Sequence, residues 1–597
     1  MKTDRMRKCL VLGLAAAMAF GGIAGTDAVA SGSWRIQSRA AVSSPAAAYA
    51  GEAMRLRQVN MGQQAESKGM INTTARQMGF AFYGVGSQDA CNQTLAALAA
   101  LGVKGTFYVS LDDFSKNRAM INQIVAQGHS LEIALLEKNG SDYTSIASTI
   151  LAVRASIAAA SGQNATLVHY PYRVNETADL MEAVSATGSQ FISDSLATAN
   201  SALGKDATAE DVMNKIFNKG NLTVSRGYII YCRMDYYNNP SIVAELINRI
   251  KTEKIDPTDA QDGNGPYQIV SLRDMLASDK IYSYPVSSDR VPEQIRNKIS
   301  AGKLSGLSSQ AVLELISGAY IGTPTEMYSS GLPGFTDSEI RQHLNTRGRF
   351  TGDPTLFLSF DDWGSDGAIN KLLGVLDKYQ VKATFFIRTN YVEANPNLLR
   401  AIAEAGHDIA SHTDQHLVLA DGDESLKTPL SAEERDILEA DVITSYNKLQ
   451  SIVGDVVDEN GAPALTTFLR PPTLAVSRVG LEAVLDAGYT HIVSGDFSTH
   501  DYDATGANVI TERFYNGIPL GQSDRIRIQN GSVIVMHMSD NAKYTAAALD
   551  QMIPYYQSQG YTFERLSTYL VNGGGAGAQY KRWLSPGVKN PDENAEK

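Results

Sequence analysis

Two carboxylates in succession, Asp361 and Asp362, close a short apolar run rich in β-formers, Leu356-Phe357-Leu358-Ser359-Phe360. Adjacent residues on a strand point to opposite faces, but at a strand's end the twist into a loop can aim both at one cleft. About fifty residues later stands His412-Thr413-Asp414-Gln415-His416. The i, i+4 spacing puts both imidazoles on one face of a helical turn, where they can reach one ion. Two histidines plus one carboxylate, with positions left open, is the ligand set of a catalytic divalent metal, zinc or a relative. The second carboxylate is then free to act as a base, so the set predicts metal-assisted hydrolysis. Each half alone has a plainer reading. Asp-Asp often marks a strand-to-loop turn, and a lone HxxxH is often a solvated helix face or a core pair.

Further downstream, Thr467-Phe468-Leu469 delivers Arg470 into a Pro471-Pro472 turn that cannot continue a ladder. An arginine there can fork a carboxylate and hold its pKa low. Ile492-Val493-Ser494-Gly495-Asp496 and the following residues to Asp501-Tyr502 form another strand ending in acids. Gly531 to Met538 is an apolar strand carrying His537 near its C-terminal end. Catalytic groups gather at the C-terminal strand ends of parallel α/β sheets and barrels. A plain core histidine is the competing reading for His537.

These residues resemble the polysaccharide deacetylase family, the NodB homology domain of carbohydrate esterase family 4. Five motifs match in order across roughly residues 351–570: Ser359-Phe360-Asp361-Asp362-Trp363, His412 to His416, Arg470-Pro471-Pro472-Thr473, Asp496 through Asp501-Tyr502, and Val535-Met536-His537. The resemblance implies that Asp362, His412 and His416 bind a divalent metal, Zn²⁺ first, with Co²⁺, Ni²⁺ or Mn²⁺ as alternatives. It implies Asp361 as general base, oriented and kept ionised by Arg470. His537 becomes the general acid for the leaving amine, held in its tautomer by Asp501. The Thr473 backbone N–H helps stabilise the oxyanion, and Tyr502 and Val535 wall the acetyl pocket. Departures fall around the site. Trp363 stands where the family has Gly, Thr473-Leu474 replaces an aromatic-Gly pair, and Tyr502 replaces Trp. Trp363 is a candidate sugar-stacking platform, or a packing residue of the loop.

The chain also resembles itself. Residues 80–138 fall on 358–416 at a shift of 278, and a later block aligns at a shift of 300. Apolar positions persist, while Asp361 becomes Tyr83, Asp362 Gly84, His412 Ala134, His416 Lys138, Arg470 Tyr170 and His537 Arg233. The first half therefore reads as a degenerate copy that has lost the metal set. Strands alternate with helical stretches such as Gln93–Leu101, Asn395–Ala405 and Leu481–Ala487. The expected fold is α/β, and the resemblance implies two distorted (β/α) barrels of about seven strands, packed on each other.

The expected organisation is a signal peptide over 1–30, a lead-in over 31–75 and a degenerate domain over 76–285. A connector follows over 286–350, then a catalytic domain over 351–572 and a tail over 573–597. The basic Met1 to Lys8 segment, the apolar run from Cys9 and the Ala28-Val29-Ala30 site read as a secretory leader. No other segment approaches about 20 unbroken apolar residues, so a secreted or wall-associated chain with no transmembrane segment is expected. Three cysteines make no disulfide framework, and pairing of Cys91 with Cys232 stays open. A net charge of −12 argues against nucleic acid and favours a neutral glycan as substrate. The readings that follow are an N-deacetylase on peptidoglycan or chitin-type glycans, an O-acetyl esterase on acetylated xylan, or a glycan-binding wall protein.

Overall fold

A computed structural model describes residues 45–172, 175–217, 223–252, 267–324, 332–421, 427–520 and 524–570. The expected signal peptide, residues 31–44 of the lead-in and the tail over 573–597 lie outside the described residues.

Two curled parallel sheets carry the architecture. The first holds β1 (Ser67–Lys68), β2 (Gln77–Tyr83), β3 (Thr106–Val109), β4 (Ser130–Ala134), β5 (Leu167–His169), β6 (Gln190–Ile192), β7 (Leu196–Ala197), β8 (Ile229–Arg233) and β9 (Gln268–Ile269). The second holds β10 (Tyr320–Ile321), β11 (Thr355–Asp362), β12 (Thr384–Ile387), β13 (Asp408–Ser411), β14 (Leu465–Leu469), β15 (His491–Val493) and β16 (Phe497–Ser498). After a two-stranded hairpin of β17 (Ile518–Leu520) and β18 (Asp524–Ile526), it is completed by β19 (Val533–His537) and β20 (Thr562–Phe563). The strand orders are β1-β6-β5-β4-β3-β2-β8-β7 with β9 on β2, and β10-β15-β14-β13-β12-β11-β19-β16 with β20 on β11. One order thus serves both sheets. Each barrel is open, and short edge strands raise the expected seven strands to nine per sheet.

Those edge strands also correct the boundaries. Ser67-Lys68, expected in the lead-in, pairs with β6, and Tyr320-Ile321, expected in the connector, pairs with β15. The cause is parallel pairing, which recruits two-residue segments too short to show a period of two.

Strands buried on both faces read as nearly continuous apolar runs. Along β11, Leu356, Leu358 and Phe360 pack outward against helices, while Phe357 packs in the barrel interior with Phe386, Phe468 and Val533. Ser359 and Asp361 share the inward face of Phe357 by alternation. The apolar helix Tyr143–Ser161 is long enough to cross a membrane, but Ile146, Ile150, Val153 and Ile157 lie in the core of the first half. Cys91 and Cys232 are both free and buried, so the pairing left open is not made.

The two halves share small polar devices as well as strand order. His129 Nδ1 accepts the Gly105 N–H and His407 Nδ1 accepts the Ala383 N–H, each at 3.1 Å. Burial pushes these imidazoles down to about 4 and about 3. The folded state therefore holds them neutral, and the unfolded chain protonates them near 6.5. Their stabilisation is complete above about pH 6.5 and is lost as pH falls toward the folded values. One unit below 6.5 the pair is expected to cost about 2–3 kcal/mol. Urea unfolding at pH 7.5 and 5.5 checks this, and His407→Leu should remove about one proton from the uptake on unfolding.

Candidate active site

The backbone is strained at the C-terminal ends of the second sheet. Among the described residues, nine non-glycine residues have positive φ, and six of them are Asp362, Thr413, His416, Thr473, Leu474 and His500. Left-handed backbone costs such residues roughly 1–2 kcal/mol each, and strain of this kind concentrates at functional sites. Asp362 shows its use. A φ of 79° turns its side chain away from normal strand alternation and out over the strand end.

The histidines come together by a route the spacing did not predict. Residues 412–416 are an irregular loop after β13, not a helical turn, with φ of 63° at both Thr413 and His416. Asp441, on the helix Ala432–Val453, accepts the backbone N–H groups of Asp414 and Gln415 at 2.7 and 2.9 Å. Asp414 in turn binds Thr389 and Lys448. These acids shape the loop. Asp441 gave no sequence signal, because it lies inside a helix far from any motif.

Asp362, His412 and His416 offer ligand atoms within 4.8 Å of one another, and they form a group able to hold a metal ion. His412 Nε2 lies 4.0 Å and His416 Nε2 3.7 Å from Asp362 Oδ1. These separations bring three donor atoms close enough to share one ion. The donor chemistry fits too. His412 Nδ1 is bonded to the Arg470 carbonyl at 2.9 Å, which leaves Nε2 as the free lone pair. Burial pushes His412 down to about 3 and lowers His416, so both rings are neutral, as ligands must be.

Opposite this cluster stand two supported side chains. Asp361 and His537 are register partners on β11 and β19. Arg470, fully buried, donates from Nη1 to Asp361 Oδ1 and to Ser359 Oγ, both at 2.7 Å. Its Nε donates to the Val493 carbonyl, and its guanidinium lies 4.1 Å from the Phe386 ring centroid. The expected fork on Asp361 is a single N–H from Nη1, while Nε is bonded to β15 and Nη2 has no partner among the described residues. The expected low pKa is also corrected. Burial raises the Asp361 carboxyl, and Arg470 only partly offsets it. His537 Nδ1 is bonded to Asp501 Oδ1 at 2.7 Å, while Asp501 Oδ2 accepts the His537 and Thr545 donors at 2.9 and 2.6 Å. Burial lowers His537, but the bond to Asp501 and the charges of Asp501, Asp361 and Asp362 outweigh it, so its pKa is raised. Thr545 and Ser359 were not singled out from sequence. Ser359 was readable as the same-face neighbour of Asp361.

The remaining predicted residues surround this pair. The Tyr502 ring stands edge-on to His537 at 4.9 Å and is 46 % exposed, and its hydroxyl is 3.0 Å from His500 Nδ1. Val535 is 2 % exposed and lies on the same face of β19 as His537. Thr473 is exposed on the turn after Arg470, and Trp363 is half-buried against the core, which is the packing reading. Asp496, part of a motif, stays below the site, bonded to Ser532 and the Val533 N–H.

The polysaccharide deacetylase family profile matches residues 348–492. This chain carries a polysaccharide deacetylase domain. The peptidoglycan-N-acetylglucosamine deacetylase PgdA of Listeria monocytogenes is 29% identical over 206 residues, 34% of this chain and 36% of the relative. The peptidoglycan-N-acetylmuramic acid deacetylase PdaA of Bacillus subtilis is 27% identical over 222 residues, 37% of this chain and 73% of that protein. The solved structure of PdaA, a family 4 carbohydrate esterase, is 23% identical, with a TM-score of 0.28, and covers 41% of this chain and 86% of that one. The chain thus spans about a third of the length of the PgdA relative. His537 and Asp501 lie beyond the profile match, and geometry alone brings them beside Asp361.

Strand register extends the comparison of the halves and corrects one alignment. Ser193 N bonds Lys68 O as Ser494 N bonds Ile321 O, and Thr198 N bonds Tyr231 O as Thr499 N bonds Val535 O. That register moves the later block to a shift of 301 and places His169, not Tyr170, at the position of Arg470. The chemistry agrees. His169 Nδ1 is bonded to the Ile192 carbonyl as Arg470 Nε is to that of Val493. At the position of Asp362, Gly84 has a φ of 102°, and a Cβ there would lie 2.9 Å from the Asp235 nitrogen. Asp235 is paired with Arg233, which lies under the Tyr172 ring, and Lys138 is paired with Asp112.

Proposed function

We propose that this protein is an exported, metal-dependent deacetylase that removes N-acetyl groups from glycans containing N-acetylglucosamine or N-acetylmuramic acid, peptidoglycan or chitin-type chains. The observation that carries the reading is the Asp362–His412–His416 cluster facing the Asp361–Arg470 and His537–Asp501 pairs across one strand-end cleft. The peptidoglycan deacetylases among the relatives support the substrate class. The first half is a degenerate copy, with Gly84, Ala134 and Lys138 at the ligand positions.

The chemistry follows from these residues. Asp362, His412 and His416 would hold a divalent ion, zinc by preference, which would supply Lewis-acid polarisation of the amide carbonyl and an activated water. Asp361 takes the proton of the attacking water as the new C–O bond forms. Arg470 holds that carboxylate in place. The Thr473 N–H faces the developing oxyanion. An amine leaves poorly unless protonated, so His537 donates its Nε2 proton as the C–N bond breaks, and Asp501 keeps Nδ1 protonated and the ring oriented. Tyr502 and Val535 enclose the acetyl methyl.

The test is acetate release by the full chain from N-acetylglucosamine oligomers and from peptidoglycan, before and after chelation. Release that is lost to chelator and restored by zinc is the expected result. Release that is indifferent to chelation refutes the metal role, and activity confined to acetylated xylan refutes the amide substrate.

A further inference from the structure

A buried polar cluster joins the two halves beside the site. Asp366 is fully buried and opens the helix Asp366–Lys378, four residues after Asp362. It accepts from the Tyr267 hydroxyl at 2.6 Å, the Arg226 backbone N–H at 3.4 Å and Asn395 Nδ2 at 2.5 Å. The Arg226 guanidinium, 5 % exposed, donates to the Tyr267 hydroxyl, the Thr74 carbonyl and Asn370 Oδ1 at 3.0, 3.1 and 2.5 Å. Arg226, Tyr267 and Thr74 come from the first half, Asp366, Asn370 and Asn395 from the second.

The residues flanking Arg226 grip the next helix in the same way. Ser225 Oγ accepts from Asn395 Nδ2 at 3.1 Å, and the Arg226 carbonyl accepts from Asn397 Nδ2 at 2.8 Å. Asn395 is the N-cap of the helix Pro396–Glu404. Gly227 has a φ of 73°, and a Cβ there would lie 2.0 Å from the Ile71 carbonyl oxygen and 2.5 Å from Asn397 Nδ2. The approach is close enough that only glycine fits.

Both helices begin where loops of the site end. Asp362 ends β11, and the loop after it runs into Asp366. The loop after β12 supports its neighbours: the Arg388 N–H bonds the Asp362 carbonyl at 3.0 Å, and the Asn390 N–H bonds the Asp414 carbonyl at 3.1 Å. It then runs into Asn395.

We propose that the first half acts as a fixed scaffold for the metal-binding loops, with Arg226 as a positioning residue acting through Asp366 and Asn395. Removing its guanidinium takes away a cation 3.9 Å from the buried Asp366 carboxylate and the donors to Tyr267 and Asn370 that support it, and that helix start is the anchor of the Asp362 loop. Displacements of about 1 Å at such a site cost about 10²-fold in rate. The zinc-affinity and kinetic readouts rest on the metal-dependent deacetylase reading, and the exchange readout does not.

The test uses the full chain with Arg226→Met and Arg226→Lys. Arg154→Met is the control, since Arg154 bonds only Ala165, Thr187 and Ser189 within the first half. Amide hydrogen exchange is read in peptides covering 361–368 and 389–398, beside zinc affinity and kcat. Arg226→Met is expected to speed exchange in both peptides and to weaken zinc binding, each at least tenfold, with Arg226→Lys intermediate and Arg154→Met within twofold of wild type. If Arg226→Met does not fold, Arg226→Lys is read alone at a threefold threshold. Unchanged exchange in both peptides, or an equal change in Arg154→Met, overturns the scaffold. A wild-type chain that releases no acetate sinks the deacetylase reading, while the exchange measurement still decides this one.

Discussion

Asp361→Asn is expected to lower kcat for acetate release by about 10²–10⁴-fold, with zinc affinity within a fewfold of wild type. Asp361 is one residue from a ligand but is not itself in the ligand group, which consists of Asp362, His412 and His416. Its proposed role is to accept a proton, and a neutral amide is too weak a base to do so. Asn keeps the size of the side chain and leaves an oxygen for Arg470 Nη1, so the arginine is not stranded. The variant therefore separates loss of the base from loss of the fold. Zinc titration and steady-state kinetics on one preparation make the measurement. A kcat within fivefold of wild type would place the base elsewhere.

Much of this candidate site is legible in the sequence, for a physical reason. A metal ligand, a base and an acid each need a particular functional group, so Asp361, Asp362, His412, His416, Arg470, Asp501 and His537 stand out by type. What failed was the backbone that aims them. HxxxH suggested a helical face, yet positive φ at Thr413 and His416 and two bonds to Asp441 converge the rings instead. A loop conformation held by a remote carboxylate leaves no period in the sequence. The expected fork of Arg470 failed similarly: a single N–H from Nη1 reaches Asp361, while Nε is bound to Val493 across a strand pairing that the motif does not contain. The edge strands Ser67-Lys68 and Tyr320-Ile321 were missed because two residues carry no alternation.

Comparison of the halves shows which features belong to the fold and which to the site. Left-handed backbone recurs at Gly84 and Asp362, so the turn after the first long strand of each barrel requires it. Glycine meets that requirement without strain, and aspartate bears it where a carboxylate is needed. The interior position of Arg470 has the same logic. In the first half His169 keeps the bond to the next strand and lies tilted between the rings of Tyr108 and Tyr231, at ring distances of 4.9 and 4.3 Å. A neutral aromatic suffices there, since Tyr83 has replaced the carboxylate.

That contrast sets up the largest expected effect on stability. Arg470→Met should destabilise the chain by about 3–5 kcal/mol, because it leaves the Asp361 carboxyl buried without its cation. Asp361 is 3 % exposed, and burial already raises its pKa, so the variant should be weakest at high pH, where that carboxyl must ionise. The sign follows from linkage: a folded pKa above the unfolded value gives stability at low pH that is lost as pH rises through the folded value. The double variant Asp361→Leu/Arg470→Met removes both charges and should recover most of the lost stability while remaining inactive, since buried ion pairs seldom outperform apolar packing. Urea unfolding of the two variants at pH 6 and 8 makes the comparison. If the single variant loses less than about 1 kcal/mol, the Asp361 carboxyl is not stranded by loss of Arg470, and if the double variant is no more stable than the single, the pair is a structural element of the barrel. Recovery in the double variant would instead show that Arg470 and Asp361 are kept in the barrel interior for chemistry, at a cost that the first half no longer bears.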